Sequence, residues 1–323
     1  MKTAFTGEEA AQAMRDLLGP LSHWTPIAEG EVSQAFAFRA NGRDLVVRIA
    51  PRRIGFDKDA WAARALAGTA VPVPEVLHVG PIADAYCCVS ERLGGVHLTG
   101  SDEAHQRRCA PAVRAVIDAI AAVDLGAAEG SGSVDPATGN GLHGDWTGQL
   151  RSLLPADWDY LEDPADREMA EELTATALGI AAQLPVARQL VHGDLNPGNF
   201  TVEGDAVAGV FDWEAVMIGD PMWELARYVL WAPVMPSTRI QADYDLDRLV
   251  AQGFGGAGAD DGIEQRLRAL VIVNGLWALD IYRGMANAPA VQLMLNRLPS
   301  FRGEPLPIDT GREDYWMRLG RRR

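Results

Sequence analysis

The sequence predicts an α+β protein of two unequal lobes: a small antiparallel sheet with one helix, then a larger, mostly helical lobe. Three observations carry that reading. Up to residue 93, strand-like apolar runs surround one strong helix pattern; a Gly94-Gly95 pair interrupts the chain; beyond it the apolar spacing becomes helical. The expected lobes are therefore residues 1–93 and residues 94–323.

Each element has a local reason. Residues 8–18 read as a first helix. AFAFRANGRDLVVRIA, residues 35–50, is two strand-like runs around Asn41-Gly42, a pair that tolerates positive φ and so favours a hairpin. DKDAWAARALA, residues 57–67, is a helix pattern stopped by Gly68. VPVPEVLHVG and AYCCVSERL read as two further strands, with Gly80-Pro81 expected to part them. In the second lobe, helices are expected over 110–122, 145–154, 166–183, 223–230 and 264–285. GSGSVDPATGNG and QGFGGAGADDG read as dividing loops, and TVEGDAVAGVFDWEAVMIGDP as a short hairpin. There is no internal repeat.

Composition narrows the function classes. With 323 residues, 48% hydrophobic and 23% charged, the chain can bury a sizeable core. No apolar run approaches the ~18 residues of a membrane helix. The start, MKTAFTGEEAAQAM, has acids where a leader would have bases. Three cysteines, two of them adjacent at Cys87-Cys88, suit a reducing cytoplasm. The net charge is −15; residues 1–95 hold 10 basic against 11 acidic side chains, and residues 96–323 hold 19 against 33. Such a surface repels nucleic acid and attracts a small cationic substrate. No nucleic acid or membrane partner is expected, and the chain should be a monomer or weak dimer.

VHGDLNPGNF, residues 191–200, places polar side chains on a stiff turn between apolar anchors. His192-x-Asp194-x-x-x-x-Asn199, followed by Asp212 at the end of an apolar strand, has the spacing of a kinase catalytic loop and its metal-binding aspartate. Phosphoryl transfer needs a carboxylate beside the acceptor hydroxyl, which Asp194 supplies. It also needs hard oxygen ligands for Mg²⁺, which Asn199 and Asp212 supply. His192 is read as a packing and hydrogen-bonding residue.

HGDLNPGNF and VFDWEAVMIGDPMWELA resemble the two signatures of the aminoglycoside phosphotransferase and choline kinase-like family, whose members have a bilobal protein kinase-like fold. Within it, EGEVSQAFAF, VPVPEVLHVG and AIAAVDL are most similar to hygromycin B phosphotransferases. The likeness spans about residues 28–232. It implies that Asp194 is the catalytic base, that Asn199 and Asp212 hold Mg²⁺, and that the phosphate donor is ATP or GTP. Arg48 falls where the family carries a phosphate-pairing lysine, and Asp59 where it carries that lysine's acidic partner. Ser33, in the loop Gly30-Glu31-Val32-Ser33-Gln34, would cap phosphates. Backbone groups of Glu91 and Leu93 would hold the purine. Lys58 is expected to face solvent and Asp220 to brace the metal hairpin. Glu224 is either structural or an acceptor contact. Trp231, Trp277 and Asp280, with Asp243 and Asp245, are candidate walls of the acceptor site. The expected activity is O-phosphorylation of an aminoglycoside. The alternatives are a kinase of a metabolite alcohol or a macrolide, and a non-catalytic nucleotide-binding module.

Overall fold

The computed structural model describes residues 5–27, 33–184, 186, 188–251 and 261–303. Helix α1 (Gly7–Leu18) opens on a capping box: Thr6 Oγ1 accepts the Glu9 N–H while the Glu9 carboxylate accepts the Thr6 N–H. Strands β1 (Ser22–Pro26), β2 (Gln34–Ala40) and β3 (Arg43–Ala50) follow, then α2 (Ile54–Ala65), β4 (Val76–Ile82) and β5 (Ala85–Glu91). They form an antiparallel sheet in the order β1-β2-β3-β5-β4. The Asn41-Gly42 turn is as expected, both residues having positive φ (51° and 78°).

One expectation needs correcting here. Gly80-Pro81 lies within β4, and the turn to β5 falls at Ala83-Asp84. Strand β4 is an edge strand, where a proline costs no ladder hydrogen bond on its outer side. Strand β1 had no apolar alternation to announce it.

The period of two in the sheet decides what faces the rest of the molecule. Leu45, Val47, Ile49, Cys87 and Val89 turn to one face, where Ala10 and Met14 of α1 complete a core. Arg48, Ala50 and Cys88 turn to the other, beside Phe56 of α2. Adjacent Cys87 and Cys88 thus point to opposite faces, and all three cysteines are free and buried.

Glu91 leads through Gly94-Gly95 into β6 (Val96–His97), which pairs with β10 (Phe200–Glu203) of the second lobe. Gly95 has φ 86°, and a Cβ there would sit 2.6 Å from the Val202 carbonyl oxygen, so the crossing requires glycine. Helices α3 (Glu103–Ala121), α4 (Trp146–Ser152), α5 (Pro164–Gln183), α6 (Met222–Trp231), α7 (Pro236–Ala251), α8 (Asp261–Gly284) and α9 (Ala288–Arg297) build the large lobe. None among the described residues is long and apolar enough to cross a membrane. Two small sheets sit among the helices. One has the order β11-β10-β6, with β11 at Ala206–Val210; the other has the order β8-β7-β12-β9, from β7 (Ser131–Val134), β8 (Gly141–His143), β9 (Gln189–Val191) and β12 (Met217–Gly219). GSGSVDPATGNG is therefore a hairpin rather than a loop: β12 supplies the partner that the Gly-rich residues could not signal locally. Most of QGFGGAGADDG lies outside the described residues, as do Gly30, Glu31 and Val32.

Candidate active site

The loop between β9 and β10 presents Asp194 and Asn199. His192 is 1% exposed; its Nδ1 accepts the Asp194 N–H (3.3 Å), which assigns the proton to Nε2, 3.2 Å from the Phe211 carbonyl. Its ring rests against Trp213, with centroids 4.4 Å apart. His192 thus ties the loop to the residue preceding Asp212, as the sequence suggests. Within the loop, the Asn196 side chain accepts the Gly198 N–H (2.8 Å), and the Asn199 N–H donates to the Asn196 carbonyl (2.8 Å). Asn199 Nδ2 donates to the Asp194 carbonyl (2.8 Å) and to Asp194 Oδ2 (3.2 Å). This leaves the Asn199 amide oxygen for another partner. Gly193 has φ 87°, and a Cβ would lie 2.2 Å from the Ala215 carbonyl oxygen; only glycine lets the loop pass there.

Helix α6 grips this loop from beneath. Glu224 accepts the N–H groups of Gly193 (2.6 Å) and Leu195 (3.2 Å), one on each carboxylate oxygen. Trp223 Nε1 donates to the Gly193 carbonyl (3.0 Å), and the Tyr228 hydroxyl to the Leu195 carbonyl (2.6 Å). Arg227 pairs with Asp194 Oδ1.

The small lobe reaches the same place from above. Arg48 pairs with Asp59 and lies 3.8 Å from Asp212 Oδ1, its guanidinium over the Phe56 ring. Burial opposes the Arg48 charge, yet Asp59 and Asp212 outweigh it and hold its pKa above the ordinary value. Asp59 Oδ1 also accepts the Trp213 N–H (2.8 Å). Lys58 is not in solvent: it is 7% exposed and donates to Ser133 Oγ and the Glu214 carbonyl, both at 2.7 Å. Desolvation pulls its pKa down. Asp212 sits in the left-handed region, φ 67°, where β11 breaks off. Asp194 with Asn199, and Arg48 with Asp59 and Asp212, therefore form two groups, joined where the Phe211 N–H donates to the Asn199 carbonyl (3.0 Å).

Residues 23–261 match the model of the phosphotransferase enzyme family. The chain belongs to that family. It is 29% identical over 248 residues to the hygromycin-B 4-O-kinase of Escherichia coli, covering 75% of this chain and 72% of that one. The fold is similar to the crystal structure of the aminoglycoside phosphotransferase APH(4)-Ia (TM-score 0.83, 26% identity, 95% of this chain and 100% of that chain). A thermostable APH(4)-Ia mutant in ternary complex with AMP-PNP and hygromycin B superposes with TM-score 0.82 at 28% identity, over 95% of this chain and 100% of that one. The kinase-like α+β fold expected from the sequence is thereby confirmed.

The other candidates are placed less uniformly around this cluster. Ser33 stands immediately before β2. Glu91 ends β5 with its N–H given to the Glu75 carbonyl (2.9 Å), and the Leu93 side chain packs where Gly209 has no Cβ. Asp220 is 1% exposed and braces α6 to α8 rather than the hairpin leading to Asp212: it accepts the Met222 N–H and takes a two-point pair with Arg266 at 2.8 and 2.9 Å. Asp243 and Asp245, 4% and 3% exposed, are buried and do not line an open wall. Glu224 is 2% exposed with both oxygens on loop amides, which favours the structural reading of it. Trp277 lies under Arg227 (5.8 Å to the ring centroid), the arginine that pairs with Asp194. Trp231 instead packs edge-on against Tyr282 (centroids 5.9 Å apart), and Asp280 lies against the Tyr160 hydroxyl. Sequence reasoning missed Arg227, Asn274 and Ser133. Arg227 had one signal, being the sole base in MWELARYVLW.

Proposed function

We propose that this phosphotransferase is an ATP- and Mg²⁺-dependent aminoglycoside O-kinase acting on hygromycin B or a close analogue, in the cytoplasm, as a monomer or weak dimer. The observation that carries the reading is the pair Asp194–Asn199 and the group Arg48–Asp59–Asp212, joined at the junction of the two lobes by the Phe211 N–H, which donates to the Asn199 carbonyl. The likeness to hygromycin-B 4-O-kinase supports the acceptor class, and so does the acidity of residues 96–323.

In this reading Asp194 Oδ2 orients the acceptor hydroxyl and takes its proton as the acceptor oxygen bonds to the γ-phosphorus. The bond from that phosphorus to the β–γ bridging oxygen breaks, and ADP leaves. Arg48, aligned by Asp59, pairs with donor phosphate oxygens; Ser33 and the backbone of Glu91 and Leu93 hold the rest of the nucleotide. Trp277, with Trp231 and Asp280, borders the acceptor.

The residues fit Mg²⁺. Asn199 and Asp212 offer an amide and a carboxylate oxygen, the hard donors this ion prefers. Burial, with Asp59 and Asp194 nearby, pushes the Asp212 carboxyl up even against the pull of Arg48. Its side chain keeps 46% of its surface open, so solvent tempers the effect. When bound, the ion would offset charge on the phosphate oxygens. A product phosphate adds about −1.5 to −2 charges, which would spoil a polycation's affinity for RNA.

The test is incubation with ATP or GTP, Mg²⁺ and a panel of aminoglycosides, macrolides and simple alcohols, with ³¹P NMR locating any transferred phosphate. Phosphate on an aminoglycoside hydroxyl is expected. Modification of another alcohol while hygromycin B stays untouched would shift the reading to a metabolite or macrolide kinase. Asp194→Asn should cut transfer by at least about 10²-fold while leaving nucleotide binding intact; undiminished transfer would remove Asp194 as the base.

A further inference from the structure

We infer that Arg227 is a positioning residue that sets the orientation of the Asp194 carboxylate toward the acceptor hydroxyl; the inference rests on Asp194 acting as the base. Four side chains of α6, Trp223, Glu224, Arg227 and Tyr228, contact residues 193–195. Three of them hold backbone groups of Gly193 and Leu195. Arg227 is different, because it meets the side chain that does the chemistry.

An aspartate carboxylate on a turn can rotate about two bonds. Here both oxygens are engaged: Oδ1 by the Arg227 guanidinium, Oδ2 by Asn199 Nδ2 at 3.2 Å. Two donors on two different oxygens fix the plane of the group, and 32% of the Asp194 side-chain surface still faces solvent. Oδ2 keeps a second lone pair for an incoming hydroxyl.

Arg227 is itself braced. Asn274 Oδ1 lies 3.5 Å from its Nη1, and the Trp277 ring lies beneath the guanidinium. Asn274, 1% exposed, donates its Nδ2 to the Leu270 carbonyl (2.9 Å), which turns its oxygen toward Arg227. A rigid chain therefore runs from α8 through Arg227 to the carboxylate. Arginine suits the post because its planar head reaches Asp194 through Nη2 and Asn274 through Nη1 at once, which an ammonium does less well. With Oδ1 already occupied by a cation, Asp194 is directed to bind a hydroxyl rather than an acceptor ammonium group.

The experiment compares the wild type with Arg227→Met, Arg227→Lys and Asn274→Ala. The assays use hygromycin B as acceptor and, in parallel, the slow transfer of phosphate from ATP to water. Nucleotide affinity and melting temperature are measured on the same samples. The expected result is a loss of about 10- to 100-fold in kcat for Arg227→Met, with nucleotide Kd and acceptor KM within about threefold. Arg227→Lys should recover part of that loss, and Asn274→Ala should lose a few-fold. Turnover within about twofold of wild type in Arg227→Met would overturn the inference. So would a loss matched by equal losses in nucleotide affinity and melting temperature, since that marks a merely structural brace. Retained transfer in Asp194→Asn would instead overturn the assignment of the base, so the two failures are distinguishable.

Discussion

Asp212 occupies a backbone region that costs a non-glycine residue about 1–2 kcal/mol. The surrounding contacts hold it there: the Phe211 N–H donates to the Asn199 carbonyl (3.0 Å), and the Trp213 N–H donates to Asp59. A second residue carries a cost readable by pH. Asp245 is 3% exposed, and burial raises its pKa to about 6 in spite of Arg114 and Gln241. Below about pH 4 the group is protonated in both folded and unfolded chains and the penalty vanishes. Above pH 6 it is ionised in both, and the fold bears the full desolvation cost, so this contribution destabilises progressively as pH rises from 4 to 6. Asp245→Asn should therefore raise unfolding stability at pH 8 by about 1–3 kcal/mol, with the gain disappearing near pH 4. Urea titrations at the two pH values measure it; an equal gain at both would contradict the account. At this scale the sequence named the polar residues of the loop at 192–199, since their spacing along the chain is itself the signal. It did not show Lys58 as buried or Asp243 and Asp245 as internal, because each contact depends on a segment far away in sequence.

Helix α6 does at the scale of an element what no single residue could. Its i, i+1, i+4 and i+5 side chains meet three consecutive loop residues, a consequence of helical periodicity laid across a turn. Glu224 is the keystone, each of its carboxylate oxygens accepting one buried N–H. Glu224→Ala should lower stability by about 3 kcal/mol or more, because two amides lose their acceptor and a cavity opens. Glu224→Gln, which retains one acceptor oxygen, should fall between. Thermal melts and phosphate-transfer rates check this, and a wild-type melting temperature in the alanine variant would refute it. The helices over α1, α2, α4, α5, α6 and α8 were legible from apolar spacing and caps such as Asp145. The start of α3, all of α7 and α9, and the strands of GSGSVDPATGNG were not. Strand β7 forms because β12 and β8 lie on either side of it.

Across the whole molecule, the charge is divided between the lobes, near zero in residues 1–95 and strongly negative beyond. A polycationic acceptor should be drawn to the large lobe by a field that salt screens. KM for hygromycin B is expected to rise several-fold between about 50 and 500 mM NaCl, more steeply than KM for a neutral alcohol acceptor. Initial-rate measurements at several ionic strengths decide this, and a flat profile would rule out long-range attraction. The junction itself is polar: Arg48, Lys58 and Asp59 from the sheet side meet Asp212, Trp213 and Glu214 from the helical side. Taken alone, the sequence determined the two-lobe α+β plan, the hairpin at Asn41-Gly42 and the loop bearing Asp194 and Asn199, because periodicity, turn chemistry and motif spacing act over a few residues. Tertiary structure decided which carboxylates meet at the junction of the lobes, which are buried, and that an arginine 33 residues away meets Asp194. Those outcomes depend on desolvation and on partners brought together by packing, and neither is encoded within any short window of the chain.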